Sequence, residues 1–143
     1  TPGEQRGLLE VQVEMKGGTV VFFATHFDYR SDERERLLSV AVARERVEGQ
    51  PHPIIVAGDL NATPDSATIS SAAEFLKDTC SLTSDSGFTF RADAPTKRID
   101  YILHNGHPAL RPVECRVLDE PVASDHRPVL AVFEVDSRRL IHD

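Results

Sequence analysis

Near the start of the chain Leu9, Val11, Val13 and Met15 alternate with Glu10, Gln12 and Glu14. A period of two predicts a half-buried strand. Lys16-Gly17-Gly18 reads as a hairpin turn, since glycine supplies positive φ without steric cost. Val20 to Ala24 is apolar without alternation, which predicts a central strand covered on both faces and ending at Thr25-His26-Phe27-Asp28. Ser31 or Asp32 can then cap a helix reaching Glu48, with Leu37, Leu38, Val40, Ala41 and Val47 as its apolar stripe. Its first charges, Glu33 to Arg36, read as a solvated face, with a substrate role for Arg34 or Arg36 as the lesser alternative. Gly49, Pro51 and Pro53 separate this helix from Ile54 to Ala57, a second short apolar run that reads as a fully buried strand.

Strand, helix, strand in that order predicts a layered α/β arrangement. A weaker helix is expected from about Ser66 to Leu76, and a long loop from Asp78 to Ala94, with Phe88-Thr89-Phe90 as a short edge strand. Further strands are expected at Arg98 to Leu103, Arg111 to Leu118 and Val129 to Val135, followed by a polar tail over 136–143 that should fray.

Composition narrows this picture. The 143 residues fit one domain with a real core. A net charge of −7 argues against a generic nucleic-acid coat but not against phosphate chemistry, because a bound divalent cation inverts the local field. There is no apolar run long enough for a membrane span and no secretory pattern, which leans slightly toward the cytoplasm. Cys80 and Cys115 are far apart without a CxxC, so two free packed thiols are expected, a disulfide being the alternative.

The polar groups that interrupt apolar strands carry the candidate chemistry. His26 closes one central run, and Asp59 with Asn61 closes the next. Asp100 sits inside Arg98-Ile99-Asp100-Tyr101-Ile102-Leu103, and Asp125-His126 precedes the last strand. Ligands gather at the carboxyl ends of strands in open α/β sheets. An acid within an apolar strand needs a partner. An ordinary turn competes for Asp59-Leu60-Asn61 before Pro64. Asp59, Asn61, Thr63 and Asp65 also alternate as in a calcium loop, but Pro64 and Ser70 stand where such a loop needs glycine and glutamate. A metal pair at His104 and His107 is a minor alternative; His52 and His142 lie in a loop and the tail.

The ordered set Thr25-His26, Gly58-Asp59-Leu60-Asn61 with Pro64, Arg98-Ile99-Asp100-Tyr101-Ile102 and Ser124-Asp125-His126-Arg127-Pro128 resembles the endonuclease/exonuclease/phosphatase superfamily over about Leu8 to Val135. The resemblance is to the C-terminal half only. It implies half of a four-layer α/β/β/α sandwich, with one mixed, mostly antiparallel sheet and helices on one face. The family's metal-binding Glu and an accompanying Asn belong to the other half. By resemblance the chain is a phosphoesterase dependent on Mg²⁺ or Mn²⁺. In that reading Asp59 orients or deprotonates the attacking water and Asn61 holds water and a phosphoryl oxygen. Asp100 pairs with His126, His126 donates to the phosphoryl oxygen or acts as general base, and His26 contacts the phosphate. Asp125 and Asp59 are the candidate metal ligands. The implied partners are a phosphoester substrate (nucleic acid, lipid head group or small phosphoester) and either the missing N-terminal half or a second copy, which would cover an apolar sheet face.

Overall fold

The structure is a computed structural model that describes residues 3–82 and 87–141; part of the expected long loop, at 83–86, and His142 lie outside the described residues. Strand β1 (Leu8–Met15) turns through Lys16-Gly17 into β2 (Gly18–His26), and helix α1 (Arg34–Glu48) leads to β3 (Ile54–Asp59). Helix α2 (Ala67–Ala72), β4 (Lys77–Asp78) and a 3₁₀ turn (Thr79–Leu82) precede β5 (Asp100–His104), β6 (Leu110–Val117) and β7 (Val129–Val135). The main sheet runs β1-β2-β3-β5-β4. Only the β2–β3 pairing is parallel; β1–β2, β3–β5 and β4–β5 are antiparallel. This is a mixed α/β fold. The expected single sheet is in fact two, because β6 and β7 pair only with each other. β5 pairs with β3 along its length and with β4 at Leu103 and His104. The β6–β7 ribbon meets the sheet through side chains, with the Phe133 ring edge-on to His104 at 5.8 Å.

The core lies between the sheet and the helices. Val21, Phe23, Ile54, Val56, Tyr101 and Leu103 meet Val40, Val47, Ala72 and Leu76 there. The opposite face is bare over β1 and β2. The alternation in β1 is real, but register puts Leu9 against Ala24 and Val11 against Phe22, on the side away from the helices. Leu9 is 62% exposed, and Val11, Val13, Met15 and Phe22 are also exposed. Neither half-burial of β1 nor double cover of β2 holds, since helices shield only one side. At its far end this face is closed by Leu140, Ala109 and Val135 over Val20. Thr19 N–H donates to the Ile141 carbonyl at 3.2 Å, so the tail is docked up to Ile141 instead of frayed.

Helix α1 differs from expectation in what it buries. Arg36, Val40, Ala43 and Val47 face inward, while Leu37 and Leu38 are exposed. Arg36 is tolerated there because its Nη1 donates to the carbonyls of Asp28 (3.0 Å) and Arg30 (2.5 Å). Glu33 is also not part of a solvated face. Its carboxylate accepts from Thr68 N–H at 2.8 Å and from the Thr68 hydroxyl, capping α2, and these bonds hold its pKa below the usual range. Helix α2 stops at Ala72, short of the expected Leu76.

Cys80 and Cys115 form a disulfide, contrary to the free-thiol expectation. The 3₁₀ turn after β4 brings Cys80 against β6, a proximity that linear spacing does not reveal. The bond closes a loop of 35 residues and ties the main sheet to the ribbon. Reduction, or Cys115→Ser, is expected to lower unfolding stability by about 2–4 kcal/mol. Urea titrations with and without reductant read this directly; coincident midpoints would mean the cross-link adds nothing to stability.

Candidate functional site

Strand register builds the site. His26 pairs across the sheet with Asp59, and Asp59 with Asp100. Three chemically active side chains thus fall in one row over β2, β3 and β5. The row is tight because Gly58 lies against the Thr25 carbonyl, where a Cβ would collide with backbone. His126 joins from a separate segment: Phe90 bridges both Lys97 and His126 in antiparallel fashion, and the Phe90 ring lies 4.9 Å from the imidazole.

The Asp59 Oδ2 atom lies 3.4 Å from His26 Nε2 and 3.8 Å from His126 Nε2. Asp59 Oδ1 accepts from the Asn61 N–H at 2.8 Å. His126 Nδ1 lies 2.8 Å from Asp100 Oδ2. With the proton on Nδ1, Nε2 is turned toward Asp59. Arg98, next to Asp100 in the sequence, is engaged elsewhere: it donates to Asp78 at 2.7 Å and lies over the Tyr101 ring.

The chain is not extended at Asn61. Its φ is 46°, a left-handed conformation that asparagine tolerates. The turn reading and the site reading of Asp59-Leu60-Asn61 therefore describe one geometry, a turn whose Asn61 N–H orients Asp59. The Asn61 side-chain NH₂ donates to the Phe27 carbonyl at 3.0 Å, leaving its oxygen available. Asp125 is exposed, with its carboxylate 3.5 Å from the Ser124 hydroxyl. His26 is largely exposed, at the rim. His104 and His107 each accept a local backbone N–H through Nδ1, and among the described residues neither belongs to a cluster of possible metal ligands.

Burial raises the Asp59 pKa, and the facing Asp100 carboxylate adds to this; the Asn61 N–H and the two imidazoles oppose it. For His126, burial disfavours the imidazolium, but the hydrogen bond and charge of Asp100, with Asp59 and Asp125 behind, outweigh burial and raise the pKa. Asp59, Asp100 and His126 each offer one ligand atom, all within 4.8 Å of one another. Two carboxylate oxygens and an imidazole suit a divalent cation. A cavity of about 390 Å³ opens beside this cluster, bordered by Asp59, Asp100, Ser124 and His126. A second, of about 320 Å³, lies beside Asn61 and His126 and includes Tyr29, Phe90 and Lys97. Sequence reading did not single out Tyr29 or Lys97 for the site; the Phe90 strand pairing, anticipated as an edge strand, was the available signal.

Comparison with known proteins follows the same lines. The family described as "Endonuclease/Exonuclease/phosphatase family" matches residues 6–126. No curated protein matches the chain. Among solved structures, an endonuclease/exonuclease/phosphatase family protein from Bacteroides thetaiotaomicron is 23% identical, with 84% of this chain and 51% of that one covered and a TM-score of 0.72. A mannosyl-6-phosphatase from the same organism is 22% identical, with 82% and 52% covered and a TM-score of 0.70. D. rerio TDP2, complexed with single-strand DNA product, is 20% identical, with 91% and 62% covered and a TM-score of 0.75. At these identities the likeness is one of fold, and the chain spans about half the length of the first two structures.

The raised pKa of His126 gives a pH signature. Its share of stability is fully present below the unfolded value of 6.5 and is lost as pH rises through the higher folded value. In metal-free protein the His126 imidazole is expected to titrate above 6.5, and Asp100→Asn should move that midpoint down. NMR of the ring resonances checks both; a midpoint that Asp100→Asn leaves in place would show that Asp100 does not set the imidazole's charge.

Proposed function

The chain belongs to the endonuclease/exonuclease/phosphatase family, and on that premise we propose that it is a metal-dependent phosphoesterase, hydrolysing a phosphoester bond by an activated water. The observation that carries the reading is the Asp59 carboxylate set between two imidazoles, one of them anchored by Asp100.

Asp59 takes the water's proton. Asn61 N–H occupies Oδ1, so Oδ2 is the atom free to act, and the raised pKa makes it a better acceptor. His126, held by Asp100, donates from Nε2 to a phosphoryl oxygen as an imidazolium; a general-base role is the competing assignment. His26 meets the phosphate from the opposite side of Asp59, and the Asn61 side-chain oxygen holds the water. The Asp59 carboxylate, with the exposed Asp125 carboxylate next to His126, would hold Mg²⁺ or Mn²⁺, while Asp100 and His126 remain bonded to each other. Such an ion, when bound, supplies Lewis-acid charge to the phosphoryl group.

The acidic balance of the chain favours a small phosphoester, a lipid head group or a limited nucleic-acid contact as substrate. Residues 1–143 act as one domain, equivalent to the C-terminal half of the family's sandwich. The exposed apolar side chains of β1 and β2 support cover by an N-terminal half or by a second copy. Among the described residues no helix is long and apolar enough to cross a membrane.

Turnover of bis(p-nitrophenyl) phosphate with Mg²⁺ or Mn²⁺ tests the reading. This chain alone should be weak or inactive, and Asp59→Ala or His126→Ala should lower whatever rate remains by about 10²-fold or more. Robust turnover lost in Asp59→Ala would show that this half suffices. Turnover indifferent to both substitutions would sink the catalytic assignment.

A further inference from the structure

Apart from Asn61 and His126, the walls of the cavity of about 320 Å³ have no part in the chemistry above. Its walls include Tyr29, Arg36, Asn61, Phe90, Lys97 and His126. Three of these are placed by backbone pairing. Phe90 N–H donates to the Lys97 carbonyl and Lys97 N–H to the Phe90 carbonyl, both at 3.0 Å, and Phe90 bridges His126 on its other side. Directly opposed residues in antiparallel segments project to the same side. Lys97 and His126 therefore flank Phe90 on one surface, two strand spacings or roughly 10 Å apart.

The charge of this cavity runs against that of the chain. Lys97 and Arg36 are its permanent cations, and Glu33, committed to Thr68, is its carboxylate, leaving one positive charge in excess within a protein of net charge −7. Neighbouring cations are already paired: Arg91 with Asp93, Arg98 with Asp78 and Arg127 with Asp119. Lys97 is exposed and forms no ion pair among the described residues. Arg36 is 5% exposed and spends Nη1 on the Asp28 and Arg30 carbonyls, so Lys97 is the cation that an anion in the cavity can reach. Phe90 and the exposed ring of Tyr29 add aromatic surface suited to a ring.

We infer that this cavity is a specificity pocket for a second anionic group, so that the preferred substrate is a compact ring-bearing phosphoester with another phosphate or carboxylate on the same body. The scissile phosphoryl sits at Asp59 and His126, the ring lies against Phe90 and Tyr29, and the second anion meets Lys97. This rests on the phosphoesterase reading of the neighbouring site.

The test is binding in buffer containing Mg²⁺, followed by backbone NMR and calorimetry. The probes are inorganic phosphate, adenosine 5′-monophosphate and adenosine 3′,5′-bisphosphate. Inorganic phosphate is expected to perturb Asp59, Asn61 and His126; if it perturbs none of them, the reading of the site fails and the pocket assignment falls with it. The bisphosphate should bind roughly three- to tenfold more tightly than the monophosphate and should perturb Lys97 and Tyr29. Lys97→Ala should erase that preference, and Lys97→Glu reverse it, while inorganic phosphate binds as before. Both substitutions fall on an exposed side chain, and an unchanged amide spectrum away from the cavity verifies the fold. Equal binding of the two nucleotides, or a preference that survives Lys97→Ala, would overturn the pocket while leaving the phosphoesterase reading intact.

Discussion

Everything in this fold that bears on chemistry depends on β3 having unlike neighbours. Parallel pairing with β2 aligns the strand ends, so His26 and Asp59 leave the sheet together. Antiparallel pairing with β5 brings the beginning of that strand to the same edge, which sets Asp100 opposite Asp59. Gly58 makes the first of these contacts close enough to hold. A sheet with all strands parallel could not place the start of one strand beside the ends of two others.

The arrangement has an electrostatic cost that the histidines offset. Two carboxylates facing each other across a sheet repel, and burial worsens this for Asp59. His126 bonds to one carboxylate and approaches the other, and His26 approaches Asp59 from the opposite side. Asp100 acts on both groups: it favours the His126 imidazolium, and it adds to burial, the larger cause, in raising the Asp59 pKa. Arg36 acts further out. By pinning the Asp28 and Arg30 carbonyls it fixes the segment after His26, and the Phe27 carbonyl in that segment receives the Asn61 amide.

The strands and the candidate residues were legible because they share one signal: a polar group where an apolar strand should continue or end. His26, Asp59 and Asp100 stand out for this reason, and Asp125-His126 by its place before the last strand. What was illegible depends on partners distant in sequence. Nothing near Arg36 indicates that two carbonyls will accept its guanidinium, so a charge run looks solvated. The Cys80–Cys115 bond depends on a 3₁₀ turn meeting the ribbon. The facing of Leu9 and Val11 depends on which side the helices take, and alternation alone is blind to that choice. The separation of β6 and β7 into a sheet of their own depends on pairings that no periodicity announces.

Strand β1 is both the outer edge of the main sheet and the largest contributor to its bare apolar face. Eight residues of unpaired edge with exposed Leu, Val and Met would ordinarily invite strand addition and templated aggregation. The intervening residues discourage it in one register: an antiparallel copy that set Glu10 against Glu14 would bring carboxylates together, although Glu10 is already paired with Arg46. Those carboxylates project from the other side of the pleat and do not obstruct a layer stacked on the apolar face. The strand is thus less inviting to growth by edge pairing than to burial from above, a polarity that favours ordered assembly over fibre formation.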